Sequence, residues 1–573
     1  MKKIFRICLC LLISVQLAGQ QKWITPFEKG NGNTTPNYEE IINFYKQLAI
    51  AFKTLKLETT GETDAGYPIH VITYDASGKF NLKDKNKLRV LLNNNIHAGE
   101  PDGVDASMMF MRDLAMGKIK NMENVIISCI AVYSVGGTLN RGAFSRANQN
   151  GPEFYGFRAN ARNYDLNRDF LKSDTKNTRS FAAIFHKTNP DIFIDNHVSN
   201  GSDYQYALTI IETHPDRLGK ESGEYLRKEF TPAVRKRLSD QGVISIPYVF
   251  STGSTPDKGI SQFIDYGRYS TGYTSLFGTI GYMPETHMLK PYYTRVKVTY
   301  DFMLHTISEA VAKRTKIRKL KEENHLQFAP GTSYPLSWSV DQSQYEEIEF
   351  LGYESGQKPS EISGKDRLYY DRNKPYSKMI PYYNRLKSSK FITIPNYYII
   401  PKAQHHVIEL LKLNQISMSA LKSDTVIEVE KYKIKTFNTT STPYEGHYLH
   451  SNTEVEKSMD KITFMKGDFL IPTRQKGVKY LLETLEPEAY DSFFNWNFFD
   501  TYLQTKEHFS PYVFEDIAPG ILKENETLRK EFEAKKASDE KFAESGAEQL
   551  RFIYSRSPYF EKEYMSYPVY RVK

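Results

Sequence analysis

The sequence predicts an α/β fold: a layered, mixed and mostly parallel sheet flanked by helices, followed by a smaller α+β region. Three observations carry that expectation. Between residues 38 and 313, apolar runs of strand length alternate with stretches of helical periodicity, the pattern of an α/β layer. Residues 88–93 and 125–132 are apolar almost throughout, as strands covered on both faces are. His and Glu side chains follow directly on three such runs, and strand carboxyl ends in an open α/β sheet converge on one crevice.

The elements follow in order. Ile41, Tyr45, Leu48, Phe52 and Leu55 recur at helical spacing and predict a helix over 38–57. A turn cluster at 61–66 precedes an alternating strand at 67–74. After the strand at 88–93 a helix begins near Gly103, with Asp102 placed to cap it. A long irregular segment, 134–163, is rich in Gly, Asn and Arg. Helices are expected at 179–187, 222–241 and 295–313, and strands at 191–195 and 279–283. Pro330, Gly331 and Pro335 mark a linker. Beyond it lie strand-like pieces such as 346–351, a helix-like stretch at 404–413 and a charged helical run at 522–542.

The N-terminus has a basic start (Lys2, Lys3, Arg6), an apolar run over 7–15 and small residues at 18–19. That is the form of a secretory signal peptide, too short to span a bilayer. The expected organisation is a signal peptide over 1–20, a catalytic domain over 21–325 and an α+β region of unassigned role over 326–573. The expected location is secreted or periplasmic, with no membrane span. Net charge is +8, with basic residues scattered along 573 residues, so nucleic acid is not an expected partner. Cys129 is the one cysteine beyond the signal segment, and its apolar surroundings predict a buried, inert thiol.

The chemistry centres on His97 and Glu100, three residues apart where the 88–95 run breaks into a Gly- and Pro-punctuated turn. Imidazole and carboxylate are the usual non-thiolate ligands of zinc, and a catalytic zinc takes three protein ligands with one position open. His197 follows the run at 191–195 and is preferred over His214 as third ligand; Glu285 follows the run at 279–283. His405 and His406 are adjacent on a helix-like stretch and diverge. Tyr444–His447 reads as a surface turn, and the aromatic run 493–499 as packing.

This His-x-x-Glu spacing with a distant His resembles the zinc metallocarboxypeptidase (carboxypeptidase A-like) family, in a secreted bacterial-type form with a C-terminal extension. His197 lies 100 residues after His97, and Glu285 lies 88 after His197. Asp165-Leu166-Asn167-Arg168-Asp169-Phe170 is similar to the family's Asp-x-Asn-Arg-Asn/Asp-aromatic signature, and Arg158 stands ten residues before Arg168. The resemblance implies one Zn2+ per chain on His97, Glu100 and His197. It implies Glu285 as general base, Arg158 at the scissile carbonyl, and Asn167 and Arg168 on a free terminal carboxylate. Asp165 would orient the first His ligand. The substrate-capping Tyr corresponds to a position held by Phe263, with Tyr266 and Tyr269 as neighbours and Tyr269 preferred. The activity implied is a zinc-dependent carboxypeptidase acting on peptides or proteins with a free C-terminus. A related zinc amidohydrolase acting on cell-wall peptides or amino-acid conjugates, and a non-catalytic binding protein of the same fold, stay open at this point.

Overall fold

The computed structural model describes residues 23–573; the signal peptide expected over 1–20 lies outside the described residues. The first half builds α1 (Tyr38–Ala51), β1 (Leu55–Glu62), β2 (Pro68–Asp75), β3 (Leu88–Asn93), α2 (Asp102–Ala115), β4 (Val125–Ile130), α3 (Lys176–Thr188), β5 (Ile192–Asp195), β6 (His197–Ser199), β7 (Leu208–Glu212), β8 (Ser245–Pro247), β9 (Ile280–His287) and α4 (Tyr292–Ala312). The sheet runs β1-β2-β4-β3-β5-β9-β7-β8, with β6 also paired to β9. Its centre, β4-β3-β5-β9, is parallel, and antiparallel pairs stand at β1-β2, β2-β4 and β7-β9. The expected mixed, mostly parallel sheet is therefore present.

Alternation along β3 explains its unbroken apolarity. Leu88, Val90 and Leu92 enter a core shared with α1, α2 and α4, while Leu91 enters a second core on the opposite face. Successive strand side chains point to opposite faces, so a strand covered on both needs apolar residues at every position. The second core contains Phe181 and Phe185 of α3 and also Tyr334, Tyr398, Val407, Leu411, Tyr480 and Phe493 from beyond residue 325. One apolar core thus runs continuously through both parts of the chain. The aromatic run at 493–499 supplies buried packing there, with Phe493, Phe494, Trp496 and Phe499 all enclosed.

Local signals set most element ends, with instructive exceptions. Asn37 and Glu40 form a reciprocal cap at the start of α1. The helix stops at Ala51, short of the predicted 57, because Leu55 is recruited into β1. Asp102 does not cap α2. Its carboxylate accepts from Arg295 Nε at 3.0 Å and from the Thr286 hydroxyl at 2.6 Å. Arg295 is fully buried, and a buried guanidinium needs a counter-charge more than a helix end needs a side-chain cap. The helical run predicted at 522–542 is broken at Asn525 and Asp539, each of which caps the helix that follows. Cys129 is buried and free, its thiol pushed up to about 12 by burial.

The second half adds a long hairpin, β10 (Glu346–Pro359) with β11 (Asp366–Tyr383), and a six-stranded sheet containing β12 (Tyr397–Ile400), β13 (Thr425–Thr439) and β14 (His450–Phe464). Helices at Pro511–Glu524, Glu526–Ser538 and Gly546–Tyr554 follow. Among the described residues no helix is long and apolar enough to cross a membrane.

Candidate active site

The turns after β3 and β5 and the last residues of β9 meet at the carboxyl end of the sheet; Glu285 lies within β9, which runs on past the predicted 283 to His287. Asn95 takes a left-handed backbone at φ 63° and turns the chain after β3, delivering His97 and Glu100. Asn94 reaches across to the next turn, its Oδ1 accepting from Asn196 Nδ2 at 2.8 Å. The start of α2 approaches that turn so closely that a Cβ on Gly103 would lie 2.4 Å from the Asn196 Cβ. Only glycine permits that approach. His197 begins β6, opposite Glu285 in register with β9.

His97, Glu100 and His197 are buried, and one ligand atom from each lies within 4.8 Å of the others. His97 Nδ1 stands 3.2 Å from Glu100 Oε1, and His197 Nδ1 stands 3.2 Å from Glu100 Oε2. The outward-facing nitrogens face carboxylates: His97 Nε2 is hydrogen-bonded to Asp165 Oδ1 at 2.9 Å, and His197 Nε2 lies 3.1 Å from Asp195 Oδ2 in an ion-pair contact without hydrogen-bond alignment. His97 Nδ1 is enclosed and makes no hydrogen bond. Two imidazoles, each oriented by a carboxylate and aimed at a third carboxylate, form the donor set of a metal site. The residues therefore fit a metal ion.

Charge in the cleft is tightly balanced. Burial opposes ionisation of Glu100, but Arg146 foremost, then His97, hold its carboxyl well below the usual range. Burial likewise opposes ionisation of Asp165, and His97 and Arg158 outweigh it. Arg158 donates to Asp165 Oδ2 through Nε at 3.0 Å and Nη2 at 2.8 Å, and its Nη1 stands 3.5 Å from Glu100 Oε1. Glu285 behaves differently. Burial pushes it up to about 7, opposed by His197 and reinforced by Glu100. A carboxylate poised near neutrality beside a metal site has the properties of a general base.

Asn167 and Arg168 line the same cavity, of about 220 Å³. Asn167 Oδ1 accepts from the Ser270 N–H at 3.0 Å, and its Nδ2 reaches the Met283 sulfur at 3.8 Å. Arg168 lies under Tyr269, its guanidinium 4.6 Å from the ring centroid. Tyr269 and Phe263 line the cavity and pack edge to face at 4.8 Å. Tyr266 points elsewhere: its hydroxyl donates to Trp338 O, and its ring stacks on Tyr490. His214 stands apart from the ligand cluster and caps a short helix at Asp216. His287 packs on Tyr204, 4.1 Å between ring centroids.

Five residues of this neighbourhood escape the sequence reading as site residues. Asp195 is legible in retrospect, two residues before His197 on an alternating strand. Arg146 has no signal. It lies in the irregular 134–163 segment, yet its Nη1 donates to Glu100 Oε1 at 2.7 Å and its side chain fills the space that Gly99 leaves open. Tyr248, on the loop after β8, also lines the cavity. Glu445, with Tyr444 beside it, corrects the reading of 444–447 as a surface turn: this turn docks against Asp165 and Arg168. The physical reason is the shared core, which brings the second half of the chain over this side of the sheet.

No family model matches the chain. Over 487 residues it is 22% identical to carboxypeptidase 2 of Trichophyton rubrum, covering 81% of this chain and 84% of that one. It is 22% identical over 427 residues to carboxypeptidase 2 of Trichophyton equinum, covering 71% and 73%. Among solved structures, a metallo-carboxypeptidase from Burkholderia cenocepacia aligns at 13% identity with a TM-score of 0.37, over 48% of this chain and 69% of that one.

Proposed function

From its similarity to the zinc metallocarboxypeptidase family, we propose that this chain is a secreted or periplasmic zinc carboxypeptidase that removes residues from the free C-terminus of peptides or proteins. The observation that carries the reading is the buried His97–Glu100–His197 cluster, with each imidazole facing a carboxylate and Glu285 beside it. One zinc ion per chain is the expected occupant, because two imidazoles and one carboxylate match the donor set of catalytic zinc. When bound, zinc supplies Lewis-acid activation of water and of the scissile carbonyl.

The protein's own groups do the rest. Glu285 accepts a proton from the attacking water and passes it to the departing amine. Arg158, held beside Glu100 by Asp165, offers its guanidinium to the carbonyl oxygen, where charge develops. Asn167 and Arg168 hold the terminal carboxylate, and the planar guanidinium fork suits that group. Tyr269 closes over Arg168 and covers the bound end. Fixing the carboxylate beside the metal places the last peptide bond, and no internal bond, at Glu285.

The test is mass spectrometry of a mixed peptide pool, with and without a chelator. The expected result is loss of single C-terminal residues, abolished by the chelator and absent from C-terminally amidated peptides. Equal turnover of free and amidated peptides, or internal cleavage, overturns the reading.

A further inference from the structure

We infer that the 444–447 turn of the C-terminal region is a positioning element of the active site. Through Tyr444 it holds Arg168 in place for the substrate's terminal carboxylate, and through Glu445 it fixes the backbone of Asp165. The inference rests on the proposed carboxypeptidase reading and deepens it.

The contacts are specific. Arg168 Nε donates to the Tyr444 hydroxyl at 3.0 Å, and Arg168 Nη1 donates to Asn167 O at 2.9 Å. With the Tyr269 ring on its face, the guanidinium is fixed in plane and in rotation. Among the described residues Nη2 has no protein acceptor, so this nitrogen remains for a ligand. One residue further along the turn, Glu445 Oε2 accepts from the Asp165 N–H at 2.9 Å. Asp165 is the carboxylate that orients His97 and pairs with Arg158. A single turn therefore grips both ends of the 165–168 segment, which carries the orienting carboxylate at one end and the carboxylate-binding arginine at the other.

The turn is built to hold its shape. Tyr444 and His447 exchange backbone hydrogen bonds at 2.7 and 3.1 Å, leaving two central residues. Both are left-handed, Glu445 at φ 50° and Gly446 at φ 83°, as a tight hairpin turn requires. Gly suits that conformation, whereas Glu adopts it only with strain. The carboxylate bond to Asp165 is the visible compensation. His447 Nε2 meets Asp174 Oδ2 at 2.7 Å, and Lys172 bridges Asp174 to buried Asp169. Buried Trp496 backs the turn, its ring 5.5 Å from His447 and 6.3 Å from Tyr444.

The experiment compares full-length wild type with Tyr444→Phe, Glu445→Ala and Glu445→Gln, using matched peptides with free and amidated C-termini. Tyr444→Phe keeps the ring and removes the acceptor. A hydrogen bond to a charged group is at stake, so KM for the free peptide is expected to rise about tenfold, with kcat within about twofold and metal content unchanged. On an Arg168→Ala background the same change adds nothing, because the two residues act as a unit. Glu445→Ala weakens the free peptide's binding, and Glu445→Gln, which keeps an acceptor oxygen, restores it. If Arg168→Ala raises KM while Tyr444→Phe does not, the inference is overturned and the carboxypeptidase reading stands. A fall in kcat alone marks a merely structural role and also overturns it. A wild type indifferent to the free carboxylate overturns both.

Discussion

The two ends of the cleft are made in different ways. The metal end is supplied by loops that leave neighbouring strands of one sheet, and its orienting carboxylates, Asp165 and Asp195, come from the same half of the chain. The carboxylate end is finished from outside: Arg168 rests on a hydroxyl 276 residues downstream. A metal site demands fixed distances among a few atoms, and strand ends deliver them through the regular spacing of the sheet. Holding one arginine in a useful rotamer demands only a well-placed acceptor, which any region packed nearby can provide. The first half thus supplies every group of the metal end, and the second half reaches the cleft through one turn, which meets the Arg168 side chain and the Asp165 backbone.

Several experiments strain this contrast, beginning with the largest effects. Removing the metal by chelation is expected to abolish hydrolysis, and adding zinc to restore it; metal analysis of the active protein checks for about one ion per chain. Activity that survives complete chelation would detach the His97–Glu100–His197 cluster from function. Glu285→Gln is expected to retain the metal and lose about two to four decades of kcat. Next come the orienting carboxylates. Asp195→Asn and Asp165→Asn are expected to weaken metal affinity about 10- to 100-fold, read by competition with a chromophoric chelator. Asp165→Asn should also raise KM, since its segment runs on to Arg168, whereas Asp195→Asn should not. Equal effects of the two changes on KM would blur the distinction between the two ends.

The pH profile gives a gentler test. Glu285 works as a base only when ionised, and burial raises its pKa to about 7. Activity is therefore present above that pKa and lost as pH falls through it. A bound divalent cation favours the ionised carboxylate and moves this acidic limb of kcat/KM below about 7. Glu285→Gln is expected to erase the limb from its residual activity; a limb unchanged in the variant belongs to another group. The smallest expected effect is on stability. Leu91→Ala, in the core shared by both halves, costs about 2–5 kcal/mol in denaturant unfolding, with metal affinity unaltered.

The same contrast decides what could be read from the sequence. His97, Glu100, His197 and Glu285 were legible because each follows an apolar run, and strand periodicity survives in a linear string. The Asp165–Phe170 segment was legible as a motif. Arg146 was not: it sits in an irregular loop, and its place beside Glu100 depends on the space at Gly99, a three-dimensional fact. Asp102 has the sequence signature of a cap, since Asp at a helix start ordinarily is one; the buried Arg295 that claims it is 193 residues away. Tyr444–His447 is legible as a turn, but its seat against Arg168 is set by the core that joins the two halves. Short-range geometry is written in the sequence. Long-range company is written only in the packing.

The amide pair between Asn94 and Asn196 ties the two histidine-bearing loops together without involving an ion. The carboxylates behind each imidazole do the same for ring orientation. Such a pocket is assembled as the chain folds, in contrast to small domains that fold only around their metal. On the proposed reading the ion is then a replaceable part: dialysing it out is expected to leave the scaffold folded, a spectroscopically active ion such as cobalt to load in its place, and the melting temperature to rise with ion concentration by mass action.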